Sequence, residues 1–562
     1  MLESIEIKGF RSFSQESFQK IELQRITVIV GENDTGKSNI LKAVHFVLDP
    51  SAENIAKEDF NIRKSRSRTG KIVDKKSSQI TIKLKFTNKT KFLPKKFHKR
   101  KYNTRGDDPF VITCTASGHD KETHVKGYKL NDRRVHKDEV PALLSKIKCF
   151  ITPSIRDVNY LNELKKLPIE KSSVITQALK RFTHVVKGKV KNQESLFRKA
   201  ALAQKVTINP ILKSEEVLNI IDFDFTIVKD DIPVQLKSHG QGMISKIIIS
   251  LFLKRGRHHI VGIEEPEIHM HPNLIREIIH ECDKLGSKKT LQIIIVTHSH
   301  YLTNFVQPKN ILVARKDNKY TKIVKIMPSD PSIVQKIENN IFLNRQKTEI
   351  LFAKGVLFVE GPYDRRAFTA IDSLEKNATF NHGISIIEVA SDGFVPYIEL
   401  CIQSNIPWAC IADSKAFHSP ENNNRGSLLK AMEKHVNEQA ISQLENRITQ
   451  QLSARKALRD VNEQLKTKKG YIANLSGGDI SDTIITALIK KNDLALYKML
   501  FVKYGGHTNV SDANEIKNRV EETIRKKTEG MIIAAQHLGK INELRYVFKN
   551  IMNNLIKLSG KI

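Results

Sequence analysis

The stretch ITVIVGENDTGKSNILKAVHFVL, residues 26–48, constrains the architecture more than any other part of this 562-residue chain. A short β-branched run, Ile26–Val30, leads at once into Gly31-Glu-Asn-Asp-Thr-Gly-Lys-Ser38 and then into an apolar helical pattern. Strand, GxxxxGKS, helix is the context in which this spacing reads as a phosphate-binding loop. Gly31 and Gly36 let the backbone wrap an anion, with loop amides and the helix N-terminus facing it. Lys37 would reach the β- and γ-phosphates of ATP, and the Ser38 hydroxyl would ligate Mg²⁺. Asn33 and Asn39 lie within and just after the loop and complete the expected nucleotide-binding set.

Two later segments have the right chemistry and order to serve such a loop. HHIVGIEEPEIHMHP is an apolar strand ending in Glu264-Glu265, and LQIIIVTHSH is another ending at Thr297-His298. The first acid suits Mg²⁺, the second suits polarising an attacking water, and the histidine suits sensing the γ-phosphate. Between loop and acidic strand, LKSHGQGMISK opens a helix with Ser238, Gly240 and Gly242, whose amides could approach a nucleotide held by a second subunit. Leu475-Ser-Gly-Gly-Asp479 has a similar look but follows both strands, the wrong order for that role.

The C-terminal half repeats the strand-tip logic with acids. VLFVEGPYDRRAF carries four apolar residues into Glu360-Gly361, with Asp364 four positions later. GISIIEVA and IPWACIADSKAF are further strands, the second ending at Asp413, separated by a helical SDGFVPYIELCIQSN. Strand–helix alternation implies a parallel sheet with its functional groups at carboxyl ends. Glu360 and Asp413 would then lie side by side, and two converging carboxylates repel unless a cation separates them. Oxygen ligands without a His or Cys cluster suit Mg²⁺ or Mn²⁺.

Bulk properties set limits. The length suggests two to four domains. Lysine and arginine total 93 against 61 acids, a net +32 spread along the chain. Such a field attracts polyanions, nucleic acid foremost, although it also serves solubility alone. KTKFLPKKFHKRKYNTR interleaves cations with Phe92, Phe97 and Tyr102, a pattern that fits phosphate contact with base stacking or a solvated basic loop. Five scattered cysteines without a CxxC pair indicate neither zinc ribbon nor disulfide framework. The opening MLESIEIKGF lacks the apolar core of a secretion signal, and no run of about eighteen apolar residues occurs. A cytoplasmic, non-membrane protein is expected.

MLESIEIKGFRSF, GENDTGKSN, IEEPEIHMHP and IIIVTHSH together resemble the ABC-type ATPases of the SMC, RecF and OLD group. LFAKGVLFVEGPYDRRAF resembles the Toprim domain, and its position directly after such an ATPase resembles the OLD (overcoming lysogenization defect) nucleases, similar to Gabija-type and retron-associated anti-phage nucleases. The resemblance implies an α/β chain: an ABC-type P-loop ATPase over 1–345 with a helical dimerisation arm inserted near 150–230, then a Rossmann-like Toprim domain with a helical C-terminal part over 346–562. ATP would be sandwiched between the loop of one copy and the signature of another, so a homodimer or higher oligomer follows. SHGQG departs from the group's SGG-type core. Carried over by motif, Glu360, Asp364 and Asp413 would hold catalytic metal, with Asp479 or Asp482 of GGDISD as a further carboxylate. Lys526 or Lys527 would neutralise charge on the phosphate, Lys527 being carried as the catalytic lysine. Lys415 stands where many Toprim sequences place a second acid. The implied function is an ATP-binding, metal-dependent DNA endonuclease, nicking or cutting both strands, in anti-phage defence with a partner protein or RNA. The alternative is an SMC- or RecF-like ATP-gated DNA clamp with a catalytically weak Toprim domain.

Overall fold

A computed structural model of the chain describes residues 1–49, 57–66, 72–76, 79–87, 92–98, 100–102, 109–117, 126–154, 156, 205–212, 221–229, 232–235, 240–254, 260–286, 291–317, 319–342, 347–389, 393–412, 414–419, 424–450, 454–474, 500, 512–525 and 542–558. It divides into two compact units, Met1–Ile323 and Val324–Ile562.

The first unit is built on the apolar runs that the sequence singles out. Ile26–Val30, Ile260–Glu264 and Gln292–Val296 are almost wholly buried strands, as continuous β-branched runs covered on both faces should be. They lie in one sheet ordered Cys149–Thr152, Ile260–Glu264, Gln292–Val296, Ile26–Val30, Ile311–Asp317, Tyr320–Lys325. The first five strands run parallel. The carboxyl ends of the phosphate-loop, histidine and acidic strands are therefore neighbours, although more than two hundred residues separate the first from the other two.

A second, antiparallel sheet of six strands covers the helix Lys37–Leu48 that follows the loop. Its order is Gln19–Glu22, Leu2–Lys8, Gln79–Phe86, Phe110–Ser117, Lys126–Leu130, Arg133–Val135. Here alternation is strict. Ile7, Ile82, Cys114 and Tyr128 stand opposite one another and are buried, and the Tyr128 hydroxyl donates to the Val47 carbonyl at 3.0 Å. Fixing a phosphate loop at the start of a helix requires that helix to be clamped, and the inward face of this sheet supplies the clamp.

Two expectations change. Phe92, Phe97 and Tyr102 are 4%, 1% and 2% exposed, so they are core, not stacking platforms. Phe97 packs on Tyr102 with ring centroids 5.6 Å apart, and the Tyr102 hydroxyl donates to Glu139. Interleaved cations and rings look alike in sequence whether the rings face out or the lysine stems cover them. Toward the end of the expected helical arm the described residues are instead β: Lys205–Leu212 and Ile221–Lys229 pair antiparallel, and Ile232–Gln235, just beyond it, adds a third strand. IDFDFTIVK alternates with period two, which favours a strand. Residues 157–204 lie outside the described set, as does the Leu475–Asp479 stretch.

The second unit centres on four parallel strands ordered Ile384–Glu388, Gly355–Val359, Trp408–Ala412, Gly470–Asn474. On one face, Phe368 of helix Pro362–Leu374 meets Phe548 of helix Asn542–Leu558. On the other, Tyr397 of helix Val395–Gln403 packs on Phe358. Trp408, the only tryptophan, is fully buried and stands opposite Gly470. A Cβ on Gly470 would fall closer than 3.0 Å to the Trp408 ring. Gly470→Ala is expected to destabilise this unit by about 1–3 kcal/mol. Denaturant unfolding followed by Trp408 fluorescence checks this; an unchanged midpoint would show that the ring yields freely.

Candidate functional site

In the first unit the chain runs from buried Val30 into Gly31, at φ +144°, and reaches Gly36 at φ +86°, immediately before the helix Lys37–Leu48. Both angles favour glycine. A Cβ on Gly31 would meet the Ala314 carbonyl, and one on Gly36 the hydroxyls of Thr321 and Ser12, each within 3.0 Å. The loop is thus moulded against its neighbours. Thr321 donates to the Thr35 carbonyl at 2.7 Å, and Asn39 donates to Ser12 at 2.8 Å. Asn33 is exposed on the loop.

Lys37 is 3% exposed, and its ammonium turns back onto the loop, donating to the Gly31 and Glu32 carbonyls at 2.9 and 2.6 Å. Its third near neighbour is Nδ1 of His298 at 3.3 Å. Burial pushes Lys37 down to about 8, against the opposing pull of Glu265, Glu267, Glu32 and Asp34. Burial, then the Lys37 charge, also holds His298 below its usual range. A neutral His298 accepting from Lys37 through Nδ1 donates through Nε2 to Glu265 Oε1 at 3.2 Å. The loop lysine, the strand-end histidine and the second strand-end acid therefore form one chain. Glu264 accepts from Ser38 across the adjacent strand, and burial raises its carboxyl above the usual carboxylate range. A hydroxyl and a half-buried carboxylate brought together in this way suit a hard cation.

Three residues here carry no sequence signature. Arg156 places Nη1 on the Glu264 carbonyl and Nη2 on the Glu265 carbonyl, both at 2.6 Å. It thereby braces Glu265 at φ +43°, an uncommon backbone state for a side chain of that size. Glu267 accepts from the Thr297 hydroxyl at 2.6 Å and from the His298 amide at 2.8 Å, tying the acidic turn to the histidine turn. Arg315, buried on the neighbouring strand, pairs with Glu32 at 3.3 Å. Only Glu267, inside IEEPEIHMHP, could have been noticed. Gly240 is exposed just ahead of the helix Gln241–Lys254, while Ser238 lies outside the described residues.

In the second unit Glu360 follows the central strand Gly355–Val359 directly and is half-buried. Asp364 sits in the first turn of the next helix, where its Oδ2 accepts from the Gly361 amide at 3.1 Å and fixes the turn carrying Glu360. Beside them Glu388 ends the neighbouring strand and pairs with Arg365 at 3.0 Å. That acid was not singled out in GISIIEVA, because a strand-ending glutamate has no further pattern around it. The strand Trp408–Ala412, on the other side of the Glu360 strand, leads into Asp413. Asp413, Asp479, Asp482 and Lys527 lie outside the described residues, as do the side chain of Lys415 and all of Lys526. Among the described residues alone, no three His, Cys, Asp or Glu side chains gather as a cation site.

The fold and loop chemistry define a P-loop, ATP-binding unit joined to a small parallel-sheet unit with acids at its carboxyl edge. The protein family described as "AAA domain, putative AbiEii toxin, Type IV TA system" matches residues 26–304, and that described as "Overcoming lysogenization defect protein-like, TOPRIM domain" matches residues 351–414. The chain is 23% identical over 437 residues to the OLD nuclease of Thermus scotoductus, covering 74% of this chain and 82% of that protein. It is 24% identical over 440 residues to Endonuclease GajA of Bacillus cereus, with coverage of 70% and 72%. A crystal structure of the Smc head bound to the C-winged helix domain of ScpA aligns over 57% of this chain and 97% of that chain, at 16% identity and a TM-score of 0.40. The two family matches and the two relatives together support an OLD-family ATPase–Toprim protein, homologous to nucleases. Among the described residues no helix is long and apolar enough to cross a membrane.

The Lys37 environment sets a pH dependence. Phosphates favour the ammonium, so above pH 8 nucleotide binding must draw in a proton. With a free-site value of about 8, affinity is expected to fall about tenfold between pH 7 and pH 9. Calorimetric titration in buffers of different ionisation enthalpy checks this: proton uptake appears only on the alkaline side, and a pH-independent affinity would show that Lys37 is already fully charged there.

Proposed function

We propose that the chain is an ATP-binding, divalent-metal-dependent DNA endonuclease, working as a homo-oligomer through its ATPase unit. The observation that carries this reading is Glu360 at the tip of a buried central strand, beside a parallel strand that leads into Asp413, within a unit matching the OLD-like Toprim family. The carboxylates that sequence and topology assign to this edge supply oxygen donors only, which fits Mg²⁺ or Mn²⁺ rather than a softer ion. Glu360 and Asp413 would hold the metal. Asp364 would add a ligand while keeping the Glu360 turn in place, and Asp479 or Asp482 would complete the set that Lys415 leaves short. When bound, such ions lower the pKa of a water nucleophile and offset charge on the leaving oxygen. Lys527 is assigned to the phosphate.

For ATP, the cradle closed to any Cβ at Gly31 and Gly36 supports phosphate binding. Lys37 would exchange its two carbonyl partners for phosphate oxygens, and Ser38 with Glu264 would hold the nucleotide's Mg²⁺. Glu265, oriented by Arg156 and His298, is the base candidate for hydrolysis. Gly240 and Ser238 of a second copy would cap the nucleotide. A part in defence against phage, with a partner protein or RNA, is proposed from the OLD-family resemblance and is read by plaque formation on expressing cells.

The decisive experiment is a supercoiled-plasmid assay with Mg²⁺ or Mn²⁺. Cleavage is expected, reduced on the order of a hundredfold or more in Glu360→Ala. Lys37→Ala should abolish nucleotide binding while leaving divalent-metal binding unchanged. Intact plasmid with every metal and nucleotide combination would instead favour an ATP-gated DNA clamp.

A further inference from the structure

The antiparallel sheet that clamps the phosphate-loop helix has a second side, facing away from that helix, on which Ser4 and Thr113 are buried while Lys20, Lys129 and Arg134 are exposed. Along it the residues opposite one another are Lys20, Glu6, Lys83, Thr113, Lys129 and Arg134, strand by strand. Lys85 stands two positions from Lys83 on the same side, as does Lys8 from Glu6. Three of the six cations are offset: Lys83 pairs with Glu6, Lys85 with Glu3, and Lys20 with Glu22. Lys8, Lys129 and Arg134 have no acidic partner among the described residues.

Phe18, 40% exposed, lies at this side's edge with the Lys8 ammonium 5.6 Å and the Lys83 ammonium 4.7 Å from its ring centroid. The ring already holds two cations within about 6 Å of its centroid, and Phe92, Phe97 and Tyr102 are buried. A surface with six cations and a single partly exposed ring, itself engaged by two of them, suits phosphate contact more than a run of stacked bases. Between the cations the floor is low, formed by Thr81, Thr115 and Gly127. Four strand-to-strand steps separate Lys8 from Arg134, about 19 Å at roughly 4.8 Å per step. A duplex presents one charge per roughly 1.7 Å of axis, so a row of this length meets several phosphates.

We propose that this side of the sheet binds the phosphate backbone of duplex DNA, with Lys8, Lys129 and Arg134 as its uncompensated contacts. The proposal rests on the nuclease reading and gives its substrate a place on the first unit. The test uses the full chain carrying Lys8→Glu, Lys129→Glu and Arg134→Glu together. A control of equal charge change carries Lys309→Glu, Lys336→Glu and Lys430→Glu, all exposed and elsewhere. Binding of labelled 30-base-pair duplex and 30-nucleotide single strand is measured by anisotropy in EDTA across a salt series, beside plasmid cleavage with metal.

The triple variant is expected to bind duplex at least tenfold more weakly, with the slope of log affinity against log salt reduced by about 2 to 3. The control should change less than twofold. A glutamine version of the triple, less disruptive to folding, should lose the same slope; a stably folded glutamine triple that keeps it overturns the proposal. Equal loss in the control reduces the effect to net charge and overturns it too. Stronger binding of single strand, lost equally in the triple, overturns the duplex assignment. Wild-type protein that cuts plasmid while the triple binds normally removes the surface but leaves the nuclease reading intact. Wild-type protein that neither binds nor cuts removes both.

Discussion

The interaction on which the first unit's chemistry depends is the buried Lys37 ammonium, held between two loop carbonyls and His298. Lys37 is closed off from water, yet its charge is surrounded by carboxylates that favour it and by two loop carbonyls that satisfy its protons. Those carbonyls belong to the phosphate-binding loop itself. The cost of desolvating Lys37 exceeds the help from its neighbours, which is why its pKa falls rather than rises. A nucleotide reverses that balance by supplying several negative oxygens at once. His298 and Glu265 are joined to Lys37 by hydrogen bonds, so a change at the lysine reaches both.

Parallel strand registry makes this arrangement possible. In both units the residues that matter come from separate parts of the chain and meet only because neighbouring strands end at the same level. In the first unit Val296 stands opposite both Glu264 and Ile29, which puts the acid, the histidine and the loop within reach of one another. In the second, Val359 stands opposite Glu388 and Phe358 opposite Cys410, which brings Glu360 to the same edge as Glu388 and the end of the Trp408–Ala412 strand.

This also explains what the sequence could and could not reveal. Buried parallel strands are continuous apolar runs, and a charged residue just past such a run is conspicuous; Glu264, Glu265, His298 and Glu360 stand out for that reason, and Lys37 by the GxxxxGKS spacing. Arg156 was not, because its task is performed through backbone carbonyls of residues more than a hundred positions away and leaves no local pattern. Glu267 and Glu388 are acids with partners, indistinguishable in sequence from solvated ones. Phe92, Phe97 and Tyr102 misled for the opposite reason: a conspicuous local pattern whose rings turn into the core. Alternation was reliable in the six-stranded sheet, where one face is buried, but it does not say what the other face is for.

A chain with 93 basic and 61 acidic residues nevertheless places carboxylates at both strand-end sites. On the reading proposed above, bare carboxylates at the second unit's edge would repel the phosphate they are to cut, and a divalent ion reverses that sign locally. On that reading long-range attraction of the polyanion falls to cations set apart from the metal ligands, while Lys527 acts only on the phosphate already at the site. Separating the two functions keeps each from cancelling the other. It follows that affinity and cleavage should respond to different variables, salt for the first and divalent metal for the second. A protein that relied on its carboxylate–metal site for both would show the two rising and falling together.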